Sequence, residues 1–448
     1  MVSSSGDGIG TPLGMTVDVP APFGVRRLFR GGLMVMPYVS YLGMLGVGAA
    51  LIWLLVRFRR TGLDAVTRWG LWGLFGVLAL SSGLAYDRAE AFLQLTNFLP
   101  YMLLFTVLPF LLPTTAHLER LARSLLWAML PLNLLGLLQY GLRLPQVPLA
   151  VQQWSVVDWV RNAAHQGRVM VTFDHPNTYA SFLVVIFGLG LGLVLQPMLI
   201  ARQTPKLYSK LRGWGKPEMG MAIATFSCFL GIFASGSRNG ILVAATQVLL
   251  FMAVVLVVRG SVWLLLGSIA GLAAVIAGLF RWGIGGRSLS LAMAWADDPR
   301  MNVWRIAVDL MRDRPWFGWG LGNYKFLYPT RGIDPEISKM FHPHNIWLLL
   351  GAETGVLVLL GFMLWVGGIC YGAGRSLASG HLQVPDQAVL LGYLLGFWGC
   401  VAYAQFDITF YDVRVNCLNW VVLGGLYGFS RLGGVAFAAS KRAHLPPA

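Results

Sequence analysis

The chain of 448 residues is 56% hydrophobic and 12% charged, with a mean hydropathy of +0.64. Soluble domains carry about a quarter charged residues, so these proportions exclude an ordinary soluble enzyme and point to a membrane protein. Lys and Arg number 34 against 19 Asp and Glu, a net charge of +15 that in a polytopic protein belongs largely in cytoplasmic loops.

Residues 1–32 begin Ser-, Gly- and Pro-rich and contain no apolar core, which predicts a flexible N-terminal arm rather than a secretory signal. Apolar runs of spanning length follow at 33–56, 69–85, 91–112, 124–142, 177–197, 218–235, 239–258, 262–280, 346–371, 388–406 and 418–432. The expected fold is all-α: one polytopic helical bundle over 33–432, of about eleven or twelve spans, with a cytoplasmic tail at 433–448. Cys228, Cys370, Cys400 and Cys417 lie in or beside these runs without CxxC spacing, so neither a disulfide framework nor a zinc site is supported.

Basic loops orient the bundle. Arg57, Arg59, Arg60 and Arg68, and then Arg202, Lys206, Lys210, Arg212 and Lys216, are expected on the cytoplasmic side. Alternation then puts 143–176, 236–238, 281–345 and 407–417 on the outer face. Arg26, Arg27 and Arg30 precede the first span, and the side of the N-terminus stays open.

The segment 281–345 far exceeds the length of about 15 residues beyond which loops are usually functional or disordered. Within it, DPRMNVWRIAVDLMR predicts an amphipathic helix near 299–313, capped by Asp298 and lying at or near the membrane surface. Projection at 100° per residue puts Trp304, Ala307, Val308 and Met311 on one face with Arg300, and Asn302, Arg305, Asp309 and Arg312 on the other. An arginine in an apolar stripe either snorkels or meets a buried partner. Arg305 and Asp309 read as a solvated pair.

Arg238, in GSRNG, stands in a very short break on the outer side, where the charge bias disfavours a cation. It could reach headgroup phosphates, or hold a phosphate in a site, since a guanidinium donates two parallel hydrogen bonds. The FHPHN segment, 341–345, places His342 and His344 at the outer surface, poised for proton exchange near neutral pH. Zinc would need a third ligand that is not evident, and Asn345 is also a natural helix cap. FDHPN, 173–177, repeats the pattern with Arg168 before it; His175 and Asp174 could do no more than cap a helix, while Asn177 joins the candidate set. Glu353, in GAETG, is the one acid inside an apolar run, where it could pair with an outer-face arginine; Gly351 and Gly355 beside it would permit close helix packing. GWGLGNY, 318–324, is a tight turn and not a dinucleotide fingerprint, because no strand precedes it.

In their order, SRNG, the Arg300-to-Trp304 spacing running on to DRPWFGWGLGNY, and HPHNIWLLLGAETG resemble the O-antigen ligase and O-antigen polymerase superfamily of bacterial envelopes. The resemblance covers about 230–360, with FDHPN a looser echo upstream. It implies a GT-C-like membrane glycosyltransferase of the bacterial inner membrane with its active site facing the periplasm. A glycan would pass from a polyprenyl (undecaprenyl) diphosphate carrier to an acceptor sugar, such as the lipid A core, with inversion and with neither metal nor other cofactor.

Carried over by position, Arg238 and Arg300 would hold the diphosphate and compensate the charge growing on it. His344, or else His342, would take the proton from the attacking hydroxyl. Glu353 matches an E-x-G position with an orienting or structural role, and Arg168, Asn177 and Asn345 would support the site. The implied partners are the carrier-linked donor, a glycolipid or glycan acceptor, the lipid bilayer and envelope-assembly proteins; no nucleic-acid module is present. Ligase and polymerase are not separable on the sequence. The rival from another class, an inorganic-carbon or small-solute transporter, usually needs intramembrane charges or broken helices at a midplane site.

Overall fold

The computed structural model describes residues 20–58, 61–142, 165, 167–203, 216–259, short pieces between 266 and 273, 300–331, 342–379 and 382–443. Residues 1–19 of the arm, most of the span at 262–280, the Asp298 cap, the loop at 281–299 and the end of the tail lie outside them.

All regular structure among the described residues is helical. The long helices are α1 (Phe23–Val35), α2 (Ser40–Arg57), α3 (Ala65–Gly83), α4 (Arg88–Gln94), α5 (Leu99–Leu111), α6 (Thr115–Gly141), α7 (Pro176–Gln203), α8 (Lys216–Ala234), α9 (Arg238–Arg259), α10 (Arg300–Asp313), α11 (Ile346–Ala378), α12 (Val384–Tyr403) and α13 (Val413–Ala443). Eight stretches among them, α4 and α5 counting as one, are long and apolar enough to cross a membrane. Helices also stand at the two further spans expected at 69–85 and 418–432, so the chain is a polytopic helical membrane protein.

Both ends of the chain depart from expectation. Residues 23–32, read as part of a loose arm, belong to α1, and α13 continues through the expected tail as far as Ala443. One span was expected at 33–56, but α1 and α2 form a hairpin there: Ala21 N donates to Phe110 O at 2.9 Å, while Phe58, just past α2, stacks on the Phe110 ring at 4.6 Å. Arg26 and Arg57 therefore lie towards the same end of the bundle. Composition hid α1 because its apolar residues are spaced for one face instead of forming an unbroken run.

The crossing that positions the site is that of α7 and α12. Their backbones touch at glycines, and a Cβ on Gly188 or Gly192 would come within 2.3 Å of Gly396 N or 2.4 Å of Gly392 Cα. Small residues let membrane helices approach to backbone contact, where dispersion and not lipid exclusion holds them. This antiparallel register carries the start of α7 to the end of α12, so Asn177 meets Asp407.

The described part of the long loop folds back on the bundle and forms a second small core. Val303, Ile306, Ala307 and Leu310 of α10 pack on Tyr324, Tyr328, Ile346 and Leu349. The buried face of α10 is thus rotated from the projected one, with Val308 and Met311 on its flank. The apolar stripe is wide, and contact with the two tyrosines decides which part is covered.

The GWGLGNY turn docks into a break in α11. Gly355 has φ 78° and ψ 174°, which opens the helix there. Trp319 N and Gly320 N donate to Ala352 O (3.2 Å) and Glu353 O (2.7 Å), and Val356 N donates to Pro315 O (2.7 Å). Backbone groups freed by the break are therefore satisfied by the loop, as burial demands. A Cβ on Gly355 would lie 2.3 Å from Trp316 O, so this glycine admits the loop and not a neighbouring helix.

Candidate functional site

At one end of the bundle, the beginnings of α7, α9, α10 and α11 meet the segment linking α12 to α13. Tyr403, the last residue of α12, and Asp407 of that linker were not singled out in the sequence, and both are buried. Asn177 Nδ2 donates to Asp407 Oδ2 at 2.7 Å, and Ile408 N donates to Oδ1 at 2.9 Å. Asn177 Oδ1 in turn accepts from buried Arg168, whose Nε donates to Ser235 O at 2.8 Å. The Tyr403 hydroxyl donates to Asn177 O at 2.9 Å; with its proton committed there, it accepts from Ser237 Oγ at 2.9 Å. FDHPN, GSRNG and the α12–α13 linker are thus one hydrogen-bonded unit.

His344 faces this unit. Its Nδ1 is buried and stands 3.5 Å from Asp407 Oδ1, in ion-pair range but without a hydrogen bond in this geometry. The residue has φ 50°, a left-handed conformation that a non-glycine side chain resists. Two contacts hold it there. Trp304 Nε1 of α10 donates to Pro343 O at 2.7 Å, and Asn345 caps α11 by accepting from Trp347 N at 3.0 Å and Leu348 N at 3.1 Å. The cap reading of Asn345 is therefore its observed role. Asn345→Ala is expected to destabilise the protein by about 1 kcal/mol, which a thermal-unfolding series in detergent would read as a lowered midpoint.

His342 lies edge-on to His344 with ring centroids 4.2 Å apart, and His165 is likewise edge-on to His175 at 4.7 Å. Asn177 N donates to His175 Nδ1 at 3.0 Å, leaving the proton of that ring on Nε2. Among the described residues, no group of three His, Cys, Asp or Glu side chains has metal-binding geometry.

Burial opposes ionisation of Asp407, yet the His344 ring, the Ile408 N–H and the Asn177 amide hold its carboxyl down at about 2. Burial first, then the adjacent imidazole and, for His175, Arg168, push His342 and His175 down to about 4, against the pull of Asp407. Between about pH 6.5 and 4 the unfolded chain binds protons on these two histidines that the folded chain refuses, so stability falls as pH falls through that window. Asp407 works lower: its contribution is complete above its ordinary value near 4 and is lost only as pH approaches 2. The unfolding midpoint of the purified protein is expected to drop from pH 7 to pH 4.5, and to drop less in a His175→Gln, His342→Gln double variant. A flat profile in the parent would contradict the burial of neutral rings.

The structure places the arginines as follows. Arg238 opens α9, exposed, one residue from the Ser237 that joins Tyr403. Arg300 opens α10, half-buried, and Arg168 and Arg300 both act electrostatically on the Tyr403 hydroxyl. Arg168 and Arg300, both named from the sequence, thus act on one tyrosine. Glu353 does not pair with an outer-face arginine: its Oε1 accepts from Tyr324 N at 3.1 Å, fixing the turn that follows α10. Asp174 contacts Arg414, a buried cation also gripped by Asp412 and lying 4.3 Å over the Phe173 ring. Arg414 ties FDHPN to α13, a structural part the sequence reading did not identify.

The segment that supplies Arg238, Arg300, Trp304, both HPHN histidines and Glu353 is also the one with a recognisable family. Residues 223–363, about a third of the chain, match the family of O-antigen ligases (Wzy_C). Over that segment the chain is similar to O-antigen ligases. No curated protein gives a significant match. The similarity supports the superfamily expected from the motifs and indicates a membrane glycan ligase or polymerase, an enzyme of glycosyltransferase type. Arg168, Asn177, Tyr403 and Asp407 lie outside the matched segment and reach its residues only through the fold.

The signal for Asp407 was faint but present. It is one of few acids in a connection between apolar spans, where no helix cap or basic neighbour in sequence accounts for it.

Proposed function

We propose that the protein transfers a glycan from a polyprenyl diphosphate carrier to an acceptor sugar hydroxyl on the periplasmic face of the inner membrane, with inversion at the anomeric carbon. The observation that carries this reading is His344 facing the Asp407 carboxylate at the end of the bundle where Arg238 and Arg300 begin their helices. Asp407 faces Nδ1 and orients the ring, which leaves Nε2 to take the proton of the attacking hydroxyl. As the glycosidic bond breaks, charge collects on the departing diphosphate. Arg238 and Arg300 offer it guanidinium forks, so the leaving group needs no proton.

An apolar cavity beneath the site suits the isoprenoid tail of the carrier. Ile346, Trp347, Ala404 and Phe410, which help to line it, stand within a few residues of His344 or Asp407 in the chain. In this reading Glu353 and Trp304 are positioning residues: one fixes the turn after α10, the other the backbone between His342 and His344.

The test is transfer by purified protein of a carrier-linked glycan to lipid A core. Arg238→Ala and Arg300→Ala are each expected to reduce it at least 100-fold, as for loss of one transition-state donor. Normal transfer by both variants would remove the diphosphate assignment. Envelope extracts from cells lacking the protein separate the acceptors: long chains stranded on the carrier indicate a ligase, and single repeats on the usual acceptor indicate a polymerase.

A further inference from the structure

A second cavity, partly polar, lies at the opposite end of the bundle. Arg26, Arg27 and Arg30 of α1 and His117 and Arg120 of α6 line it, and the rest of its wall is apolar. His117 is 22 positions before Gln139, whose Oε1 accepts from Val171 N beside the histidine site. At 1.5 Å per residue, the two ends are about 33 Å apart, a membrane thickness.

Four guanidinium groups share this wall with no acid. None of the four forms an ion pair among the described residues; Glu119, the nearby acid on α6, is held by Arg123 at 2.8 Å, and Asp386 is turned to Thr115. Nor does His117 offset the charge. Arg26 NH1 can only donate, so the 2.7 Å contact makes His117 Nε2 the acceptor, and the ring is neutral with its Nδ1 proton facing Thr114 Oγ1 at 2.6 Å.

The backbone adds to the imbalance. The cations lie in the first two turns of α1 and α6, at the positive ends of both helix dipoles, and α1 has neither a side-chain cap nor an acid in its first turn. One donor, Arg26 Nε, is buried with no acceptor. Such a wall is complete only with an anion that brings several oxygen acceptors.

We propose that this pocket binds the phosphate of an anionic lipid in the leaflet opposite the histidine site. A lipid fits better than a free anion because the remaining wall is apolar and the pocket lies where the spanning helices end, at headgroup depth. The bound headgroup would also brace α1, whose other end meets the site through the hydrogen bond from Thr172 Oγ1 to Pro37 O.

The experiment uses the purified full chain in a neutral detergent, with phosphatidylglycerol, phosphatidylcholine or inorganic phosphate added at matched concentration. Native mass spectrometry is expected to retain phosphatidylglycerol but not phosphatidylcholine, and phosphatidylglycerol alone is expected to raise the unfolding midpoint. The Arg26→Gln, Arg30→Gln double variant should weaken retention at least tenfold and lose the shift. Arg120→Gln, on the other helix, should weaken retention several-fold without disturbing α1, and Arg57→Gln, at the same end but outside the pocket, should change neither. Equal retention by the double variant and Arg120→Gln as by the parent would overturn the site, and an equal shift from inorganic phosphate would overturn the lipid assignment.

Discussion

Replacing His344 by alanine is expected to lower the rate of glycan transfer by between about 100-fold and 10,000-fold, the usual worth of a positioned general base. The variant should still fold. The Asn345 cap and the Trp304 bond to Pro343 O involve neither the His344 ring nor its Cα substituent. Truncating a residue held at φ 50° also removes little native contact, because the side chain is a quarter exposed. Strain of this kind persists only where surrounding structure over-determines it, and it concentrates at functional sites.

His342 is the comparison that gives the experiment its meaning. Its Nδ1 accepts from His344 N at 3.3 Å and so is already engaged, and His342→Gln should reduce transfer much less. Were His342→Gln to abolish transfer while His344→Ala left it intact, the base would be His342. Asp407→Asn should lower kcat about tenfold to 100-fold with little change in KM. In a His344→Ala background the same change should cost nothing further, since Asp407 acts through that ring. A purely structural Asp407 would lower transfer in both backgrounds.

Gly355→Ala is expected to be the most damaging single substitution for the fold. The backbone there, φ 78° and ψ 174°, lies in a region that L side chains essentially do not occupy, at a cost of about 1–3 kcal/mol. The new Cβ would also meet Trp316 O at 2.3 Å and Phe317 N at 2.6 Å, backbone atoms that cannot swing aside. Relief requires the GWGLGNY turn to lift from α11, which breaks three backbone hydrogen bonds, those accepted by Ala352 O and Glu353 O and the one donated by Val356 N. A loss above about 3 kcal/mol follows, seen as an unfolding midpoint many degrees lower or as failure to accumulate. A near-normal midpoint would mean that the helix straightens and the loop finds another seat.

The protein's class and most of its helices are determined by the sequence alone. Uninterrupted apolar runs must be helical in lipid, where only intrahelical bonding satisfies the backbone, and the runs at 177–197, 239–258 and 346–371 became α7, α9 and α11. Local motifs were legible for the same reason: Asn345 caps the residues that directly follow it, and three glycines make GWGLGNY a turn. The short α1 was not, since an amphipathic stretch with three arginines does not resemble a span until its apolar face has found α2.

What the tertiary structure decided is which distant residues share a site. Asn177 and Asp407 are 230 positions apart and meet because the glycines of α7 and α12 let two backbones touch. No periodicity or spacing encodes that register; it is set by the shapes of two helix surfaces. Glu353 shows the converse: its chemistry suggested a partner for an arginine, but the break at Gly355 brought backbone N–H groups closer, and a buried carboxylate takes the donors that the packing delivers.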